Sequence, residues 1–427
     1  MKNVTSPEQI SPTQPTLRNR PLPWATLRNR PRPWARRMVL HMMNHLAYGR
    51  LVIRENDRTL AFGADNTPRA VIQVHDPTFF TRVLVDGSIG AAESYVDGLW
   101  DTDDLTAVIR IIVVNQPVME QMENRLARLV RPLLRLGHLR RHNSQKGARQ
   151  NILAHYDLGN DMYQTFLDPA MMYSAAIFPH ENSTLEEAAI HKLDLICQQL
   201  HLDPGDRVIE IGGGWGGFAI HAATRYGCHV TTTTISDAQY EETARRIHAL
   251  GLQDRITLLK KDYRDLTGEY DKLVSIEMIE AVGHRYLPAF VKTCESLLAP
   301  DGMMLIQAIT IKDQLYKTYL KGVDFIQRHI FPGGCLPATH HLLQVFTDHT
   351  GMVVRKLTDF GFDYAQTLKH WRQRFAASHD TLAQLGYDRR FRRLWEFYLC
   401  YCEGGFLERS ISVIHLVATM PGNRTRI

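Results

Sequence analysis

Short apolar runs alternate with amphipathic stretches over the second half of the chain. Strands that alternate with helices in this way are typical of a doubly wound α/β sheet, so we predict that fold for residues 151–427. The predicted strands are 207–211, 229–234, 256–260, 272–276, 303–308 and 412–418. Helical spacing lies between them, as at 216–225 and 237–249.

The preceding region follows a different pattern, which predicts a small α+β domain at 38–120. An apolar stretch lies at 38–46, and alternating runs lie at 50–54 and 70–74. Helical spacing occupies 104–114. Asp86-Gly87 and Asp97-Gly98 are typical of turns. No residue of this domain belongs to a recognisable catalytic set.

Basic segments flank that domain on both sides. Residues 1–37 are rich in Arg and Pro and hold a ten-residue duplication at 16–35, where the prolines argue against a helix. We predict a disordered tail, either without a role or meeting anionic lipid through Arg, Trp24 and Trp34. Residues 121–150 place leucines at helical spacing among arginines, which predicts a basic linker helix lying on a membrane or packed between domains.

Composition narrows the class of protein. The 427 residues are 44% hydrophobic and 22% charged, as in globular proteins, and no run reaches the roughly 20 apolar residues that cross a bilayer. The first 37 residues have no apolar core of a secretory signal. The 6 cysteines form no CxxC pair, so we predict a reduced, cytoplasmic protein without a metal site.

The net charge of +5 is unevenly distributed along the chain. Residues 1–50 contain 9 Lys/Arg against 1 acidic residue, and residues 121–150 contain 8 against 1. Basic islands on a near-neutral body favour an anionic partner surface, either phospholipid or nucleic acid.

The sequence VIEIGGGWGG at 208–217 predicts a strand, a glycine turn and the start of a helix. Two cofactors fit that pattern. Glycines of the loop satisfy GxGxxG with Asp237 20 residues after Gly217, as a dinucleotide site would. Glu210, two residues before the first glycine, instead favours S-adenosylmethionine, because its carboxylate can hold the amino group of that cofactor. The loop alone favours S-adenosylmethionine and leaves the dinucleotide open.

Five further motifs occur in a fixed order. They are HYDLGND at 155–161, MYS at 172–174, DYRDL at 262–266, SIEMIEAVG at 275–283 and YCEGGF at 401–406. This series resembles the cyclopropane-fatty-acyl-phospholipid synthase family over about residues 150–420, and residues 87–100 resemble the N-terminal domain of that family. The resemblance implies a seven-stranded class I methyltransferase fold. It also implies transfer of a one-carbon unit from S-adenosylmethionine to the cis double bond of a phospholipid acyl chain.

The resemblance implies cofactor contacts at four places: the MYS motif, the glycine loop, the segment after the second strand and the DYRDL motif. The residues are Tyr173, Ser174, Glu210, Ile211, Gly212, Gly213, Gly214, Trp215, Gly216, Gly217, Thr234, Ile235, Ser236, Asp237, Ala238, Gln239, Tyr263 and Arg264.

The resemblance further implies that a bound bicarbonate accepts the proton released in the reaction. The ligands carried over are Glu280, Tyr364 and Gln307, with the backbone amides of Ala175 and Ile309. This sequence departs from the family pattern twice, since Ala175 replaces a Cys and Gln307 replaces a His. A backbone N–H survives the first change, but Gln307 cannot become charged as His can.

The family's catalytic positions leave two alternatives open for the chemistry. Glu280, Tyr364, Gln307 and Cys402 match the catalytic positions of the family. The reaction needs no thiolate, however, and the alternative interpretation of Cys402 is a small buried residue that lines an acyl tunnel. With Gln307 in place of His, the product is either a cyclopropane or a methyl-branched or methylene fatty acid.

The expected partner is an unsaturated phospholipid at an anionic membrane surface, met by a cytoplasmic protein that associates peripherally with the inner face of the membrane. Methylation of a soluble small molecule is the second enzymatic interpretation, which the basic islands and the additional N-terminal domain disfavour. A nucleic-acid-binding protein would leave the 210–217 loop and Glu280 unexplained, so we expect no nucleic acid partner. The resemblance is compatible with a homodimer.

Overall fold

The computed structural model describes residues 28–116 and 159–426. The predicted linker helix at 121–150, residues 1–27 of the predicted tail and the motif residues 155–158 lie outside these ranges. Within them, no helix combines the length and the apolar character that a bilayer crossing needs.

The N-terminal unit is a four-stranded sheet covered by helices, in agreement with the predicted α+β class. Its elements are α1 (Pro33–Met43), β1 (Arg50–Glu55), β2 (Arg58–Gly63), β3 (Arg69–Val74), α2 (Thr78–Val96), β4 (Trp100–Thr102) and α3 (Leu105–Val114). The strand order is β2-β1-β3-β4, and β1 runs parallel to β3. Alternate residues of β1 and β3 are buried, as the alternating runs predict.

Two predictions about this region are wrong. Helix α1 begins at Pro33, within the tail predicted at 1–37, because proline is tolerated in the first helical turn, where its missing N–H has no partner to lose. Arg28 is also held in place, by an ion pair with Glu93 on α2. The turn predicted at Asp86-Gly87 is instead a kink within α2, where Gly87 has φ +57° and ψ −132°.

The second sheet has seven strands and confirms the predicted doubly wound fold. They are β5 (Arg207–Ile211), β6 (His229–Thr233), β7 (Ile256–Leu259), β8 (Tyr270–Ile276), β9 (Leu298–Ile311), β10 (Val353–Asp359) and β11 (Ile411–Thr419). Their order is β10-β11-β9-β8-β5-β6-β7, and only β11 is antiparallel to both neighbours. The pattern predicts six of these strands and misses β10, an edge strand that is mostly exposed.

Helices cover both faces of this sheet. They are α4 (Asn160–Gln164), α5 (Leu185–Gln199), α6 (Gly217–Arg225), α7 (Asp237–Ala249), α8 (Leu287–Ser296), α9 (Tyr316–Tyr319), α10 (Phe325–His329), α11 (Thr339–His349), α12 (Gly361–Ala377), α13 (His379–Gln384) and α14 (Arg389–Leu407). The apolar stripes of α5 and α6 share one core with the strands, and those of α8 and α11 share another.

The strand order places a switch point between β5 and β8. From β5 the chain builds outward through β6 and β7, and it then returns to add β8 on the opposite side of β5. In open α/β sheets, ligands bind beyond the carboxyl ends of the strands at such a point. A ligand site is therefore expected at the segments that follow β5 and β8.

The N-terminal unit is fixed to the second sheet through α14. Arg393 donates to the carbonyls of Tyr95 and Trp100 across this boundary. Glu403 accepts hydrogen bonds from Thr106 of α3 and from Arg372 of α12. Glu403 therefore links α14 to the N-terminal unit.

Candidate active site

The glycine loop follows β5 and has a backbone that only glycine adopts freely. Gly212, Gly214 and Gly216 have φ values of +86°, +54° and +79°. Gly213 is confined in another way, because a Cβ there would lie 2.0 Å from Oγ1 of Thr232 on β6. The loop leads directly into α6, whose first N–H groups have no acceptor within the helix.

The buried side chain of Glu210 packs against this loop. Its carboxylate is 2% exposed and accepts a 2.5 Å hydrogen bond from Thr232 Oγ1, while a Cβ on Gly213 would lie 2.9 Å from Glu210 Oε2. Burial raises the pKa of Glu210 to about 7. Its contact with the amino group of a cofactor stays a prediction.

The other predicted cofactor segments lie at the same edge of the sheet, after β6 and β7. Thr234 donates to Gln239 Oε1 over 2.8 Å, and the Ser236 hydroxyl caps α7. Tyr263 follows β7 and packs edge-on against Phe290, with their ring centroids 5.4 Å apart. The intervening and adjacent residues Ile235, Asp237, Ala238 and Arg264 lie on these two segments.

The MYS motif approaches the glycine loop from the other side. A Cβ on Gly217 would lie 2.3 Å from Met172 Sδ. The indole N–H of Trp215 donates to Asn160 Oδ1 over 2.8 Å, and the rings of Trp215 and Tyr163 lie 5.0 Å apart. Tyr163 also lies 5.1 Å from the ring of Tyr173, so the MYS motif packs next to the glycine loop.

Glu277, the residue directly after β8, has a more central position than any side chain predicted as catalytic. Its Oε1 accepts from the backbone N–H of Ala175 at 2.8 Å and from Nε2 of Gln307 at 2.7 Å. Its Oε2 accepts from the Tyr364 hydroxyl at 2.8 Å. The carboxylate of Glu277 therefore engages three of the five ligands predicted for bicarbonate.

The Gln307 amide is held in one orientation by its other neighbours. Its second N–H donates to the carbonyl of Ala175 at 3.2 Å, and its oxygen faces Nε2 of His415 at 3.0 Å. The other ring nitrogen of His415 lies 3.1 Å from Nε2 of Gln199, which makes Nε2 of His415 the donor to Gln307. Burial lowers the pKa of His415 to about 3, so its ring is neutral.

Glu280 lies three residues further along, and its two oxygens differ. Oε1 accepts from the backbone N–H of Ile309 at 2.5 Å. Oε2 is buried and has no hydrogen-bond partner among the described residues. Burial, followed by the negative charge of Glu277, raises the pKa of Glu280 to about 8, so Glu280 is mainly protonated at neutral pH.

A separate bicarbonate does not fit this arrangement. Ala175, Gln307 and Tyr364 all direct their donors to Glu277, and Ile309 directs its N–H to Glu280. Every predicted donor is thus engaged by a group of the protein, and a second anion beside the ionised carboxylate of Glu277 would be repelled.

Tyr364 and Cys402 are both in their neutral forms. Burial raises the pKa of the Tyr364 hydroxyl well above its ordinary value of 10, and the charge of Glu277 adds to this. Burial likewise raises the pKa of the Cys402 thiol. Tyr364 is therefore a hydrogen-bond donor, and Cys402 has no thiolate to offer as nucleophile or base.

The pattern did not single out Glu277, His415 or Lys192. Lys192 on α5 is fully buried, and its ammonium donates to the Ser174 hydroxyl at 2.9 Å. Burial lowers the pKa of Lys192 to about 8, against the opposing charges of Glu277, Asp168 and Glu210. A lysine within the apolar stripe of α5 is a signal that the sequence did contain.

Aromatic rings border the carboxyl groups on one side. The ring of Tyr364 lies 6.1 Å from that of Trp371 and 4.5 Å from that of Phe406. Trp371 in turn lies 5.4 Å from Tyr173, whose hydroxyl is 2.9 Å from that of Tyr398. The site therefore combines three buried carboxyl groups, one ammonium and an aromatic wall, which suits a cationic ligand beside an apolar one.

Comparison with known proteins supports this interpretation. The sequence model of the mycolic acid cyclopropane synthetase family matches residues 143–416. Tuberculostearic acid methyltransferase UfaA1 of Mycobacterium tuberculosis is 37% identical over 380 residues, which make up 87% of this chain and 86% of the relative. The cyclopropane-fatty-acyl-phospholipid synthase of Escherichia coli is 37% identical over 350 residues, 82% of this chain and 87% of the relative.

A solved structure shares the fold. Mycolic acid cyclopropane synthase CmaA1, complexed with SAH and CTAB, superposes with a TM-score of 0.60 and 29% identity over 64% of this chain and 98% of that chain. SAH is S-adenosylmethionine after loss of its methyl group. The predicted class I methyltransferase fold and the predicted use of S-adenosylmethionine are therefore confirmed.

Proposed function

The chain belongs to the mycolic acid cyclopropane synthetase family, and from that premise we propose that it acts on the cis double bond of an unsaturated phospholipid acyl chain and makes a cyclopropane. One observation supports this above the others: the glycine loop after β5 lies against the loop after β8, where a Cβ on Gly212 would be 2.8 Å from Met278, and the buried carboxyl cluster of that second loop borders an aromatic wall. The glycine loop suits the methyl donor, the wall suits the acyl chain, and the carboxyl cluster suits the positive charge of the reaction.

The residues fit the methyl donor by charge as well as by shape. The buried ammonium of Lys192 lies among the opposing charges of Glu277, Asp168 and Glu210, so acidic groups outnumber this cation and the site favours a positively charged ligand. When bound, S-adenosylmethionine supplies an electrophilic methyl group on a positively charged sulfur. We propose that the glycine loop, Tyr173 and Ser174 hold it, with the segments after β6 and β7 receiving its nucleoside.

The remaining side chains exclude water and stabilise positive charge. Tyr364, Trp371 and Phe406 are buried, so a carbocation formed beside them is protected from attack by water. Their ring faces, and the negative charge of Glu277, lower the free energy of such a cation. Orientation of the alkene along the aromatic wall supplies a further part of the acceleration.

Bicarbonate as the proton acceptor stays a prediction. Its ligand set, which includes Ala175 and Ile309, is engaged by Glu277 and Glu280, and no step of the proposed reaction is assigned to it.

A methyl-branched or methylene product is the second candidate. It would form if a hydride shift moved the cation and the proton then left from another carbon. Two observations favour it: Gln307 stands where the family resemblance expects His, and a relative that is 37% identical is named a tuberculostearic acid methyltransferase. A soluble small-molecule acceptor is a more distant alternative.

We place the reaction at the inner face of an anionic membrane, with the protein cytoplasmic and peripherally bound. Trp34 is 54% exposed at the start of α1, and Arg37 on the same helix is exposed as well. An exposed indole beside arginines suits the headgroup region of a bilayer. A homodimer is also proposed, and light scattering of the purified protein would test it.

The test is incubation of the purified protein with methyl-labelled S-adenosylmethionine and liposomes of monounsaturated phospholipid. Gas chromatography with mass spectrometry should show acyl chains that have gained one CH₂ and a ring while losing the double bond. The same gain as a methyl branch or methylene would establish the second candidate. Absence of label from lipid, with the methyl donor still bound, would contradict both and favour a soluble acceptor.

A further inference from the structure

Glu277 stands in a backbone conformation that glutamate rarely adopts. Its φ is +49°, in the left-handed region that is unfavourable for residues with a side chain. Such strain persists only where the surroundings impose it, and it concentrates at functional sites. A glycine would relieve the strain, so the sequence keeps a carboxylate here at a cost in stability.

The strained residue is also the one on which the donors of the site converge. Ala175, Gln307 and Tyr364 come from three different parts of the chain, and each directs one hydrogen to the Glu277 carboxylate. His415 and Gln199 fix Gln307 in that orientation. These are the donors that the family resemblance assigns to an exchangeable anion.

We propose that the Glu277 carboxylate is the proton acceptor of the reaction and takes the place of a bound bicarbonate. This inference rests on the proposed function. It assigns to a side chain of the protein the part that the resemblance gives to a diffusible ion, so activity should not require bicarbonate.

The contacts of Glu277 are those of an ionised carboxylate. Both oxygens accept hydrogen bonds, and all three partners are donors at these positions. Burial raises the pKa of Glu277, while its three donors and the ammonium of Lys192 oppose that rise. The result is a stronger base than an exposed glutamate. Glu280, with its pKa of about 8, carries the proton of the pair at neutral pH.

The π electrons of the alkene form a carbon–carbon bond to the methyl group as the carbon–sulfur bond breaks, and the sulfur keeps that electron pair. A C–H bond of the resulting cation then supplies its electron pair to close the ring, or to form a double bond in the second candidate. The proton passes to Glu277, which becomes a neutral carboxylic acid and later releases the proton to solvent.

Two variants test the proposal in buffer freed of bicarbonate. Glu277→Gly suits the backbone conformation and releases the three donors, whereas Glu277→Gln keeps the shape but cannot accept a proton. We expect wild-type protein to label lipid without added anion, and we expect both variants to lose about a hundredfold or more in rate. Formate or bicarbonate should restore the rate of Glu277→Gly by about tenfold or more and should not restore Glu277→Gln.

Binding of S-adenosylmethionine, measured by calorimetry, shows whether each variant is folded. His201→Gly is the matched control, because His201 is exposed in the turn between α5 and β5 and has a similar φ of +51°; its rate should equal that of wild type.

Four results would overturn the inference. They are a wild-type rate in either variant, a Glu277→Gly protein that binds the donor but gains nothing from either anion, a Glu277→Gln protein restored by anion, and wild-type activity that depends on bicarbonate. If wild-type protein labels no lipid, both the proposed function and this inference are wrong. If wild-type protein labels lipid but any of these four results is found, only this inference is wrong.

Discussion

The two loops that follow β5 and β8 lie side by side but are built on different principles. The glycine loop (residues 212–217) shapes its site with the backbone, through positive φ values and a close approach to Thr232. The carboxyl loop (residues 277–280) shapes its site with side chains, and its partners come from Ala175, Gln307, Ile309 and Tyr364.

This difference decides what a sequence can reveal. A run of glycines indicates by itself a backbone with positive φ values. Residues 212–217 can therefore be predicted to form a ligand-binding loop without knowing which residues surround them. Two glutamates three residues apart do not indicate which of them accepts a hydrogen bond from a given donor. That depends on side chains that are distant along the chain.

The largest effect is expected from closing the glycine loop. Gly213→Ala would place a Cβ 2.0 Å from Thr232 Oγ1, and the loop would have to shift at a cost of about 1–3 kcal/mol. Affinity for S-adenosylmethionine should fall by about a hundredfold. Calorimetry would measure it, with Gly205→Ala as control, since Gly205 has open space around it. Equal affinity in Gly213→Ala and wild type would show that the loop does not form the cofactor site.

A smaller effect is expected from removing one donor of the carboxyl loop. Tyr364→Phe deletes the 2.8 Å hydrogen bond to Glu277, and a hydrogen bond to a charged group is worth about 1.5–3 kcal/mol. We expect kcat to fall by about tenfold to a hundredfold with KM nearly unchanged. Tyr95→Phe, which deletes a 2.9 Å hydrogen bond to Glu396 elsewhere, is the matched control. A change confined to KM would place Tyr364 in substrate binding instead.

Most elements of the fold can be predicted from the pattern of apolar and polar residues. The elements that cannot be predicted have local causes. The strands β5, β6, β8, β9 and β11 are largely buried and β7 is a short apolar run, so the apolar pattern finds them, whereas the exposed edge strand β10 has no such pattern. The pattern does not reveal α1, because proline usually breaks a helix, whereas Pro33 occupies the first turn, where it is tolerated.

The site was accessible in part. Tyr364, Gln307, Ala175 and Ile309 do converge with Glu280 on one place, as the family resemblance implied. Their engagement by Glu277 could not be predicted, because it depends on a φ of +49° and on a side chain not assigned any role.

The smallest effect is expected from the titration of Glu280. Its pKa of about 8 in the folded protein lies above the ordinary 4.5, so the unfolded chain releases this proton first and stability falls as pH rises between those values. From pH 7 to pH 8, we expect wild type to lose at most about 1.4 kcal/mol relative to Glu280→Gln. Urea unfolding of the two proteins at each pH would measure the difference, and parallel pH profiles would show that Glu280 is not buried as described.

The most direct test of the role of the carboxyl loop is the bicarbonate dependence of the wild-type enzyme. Initial rates of methyl transfer to monounsaturated phospholipid would be measured in carbonate-free buffer and again after addition of sodium bicarbonate at the same pH. Because Glu277 already engages Ala175, Gln307 and Tyr364, we expect equal rates under both conditions. A rate that rises about tenfold or more with bicarbonate would contradict the account and return the proton acceptor to an exchangeable anion.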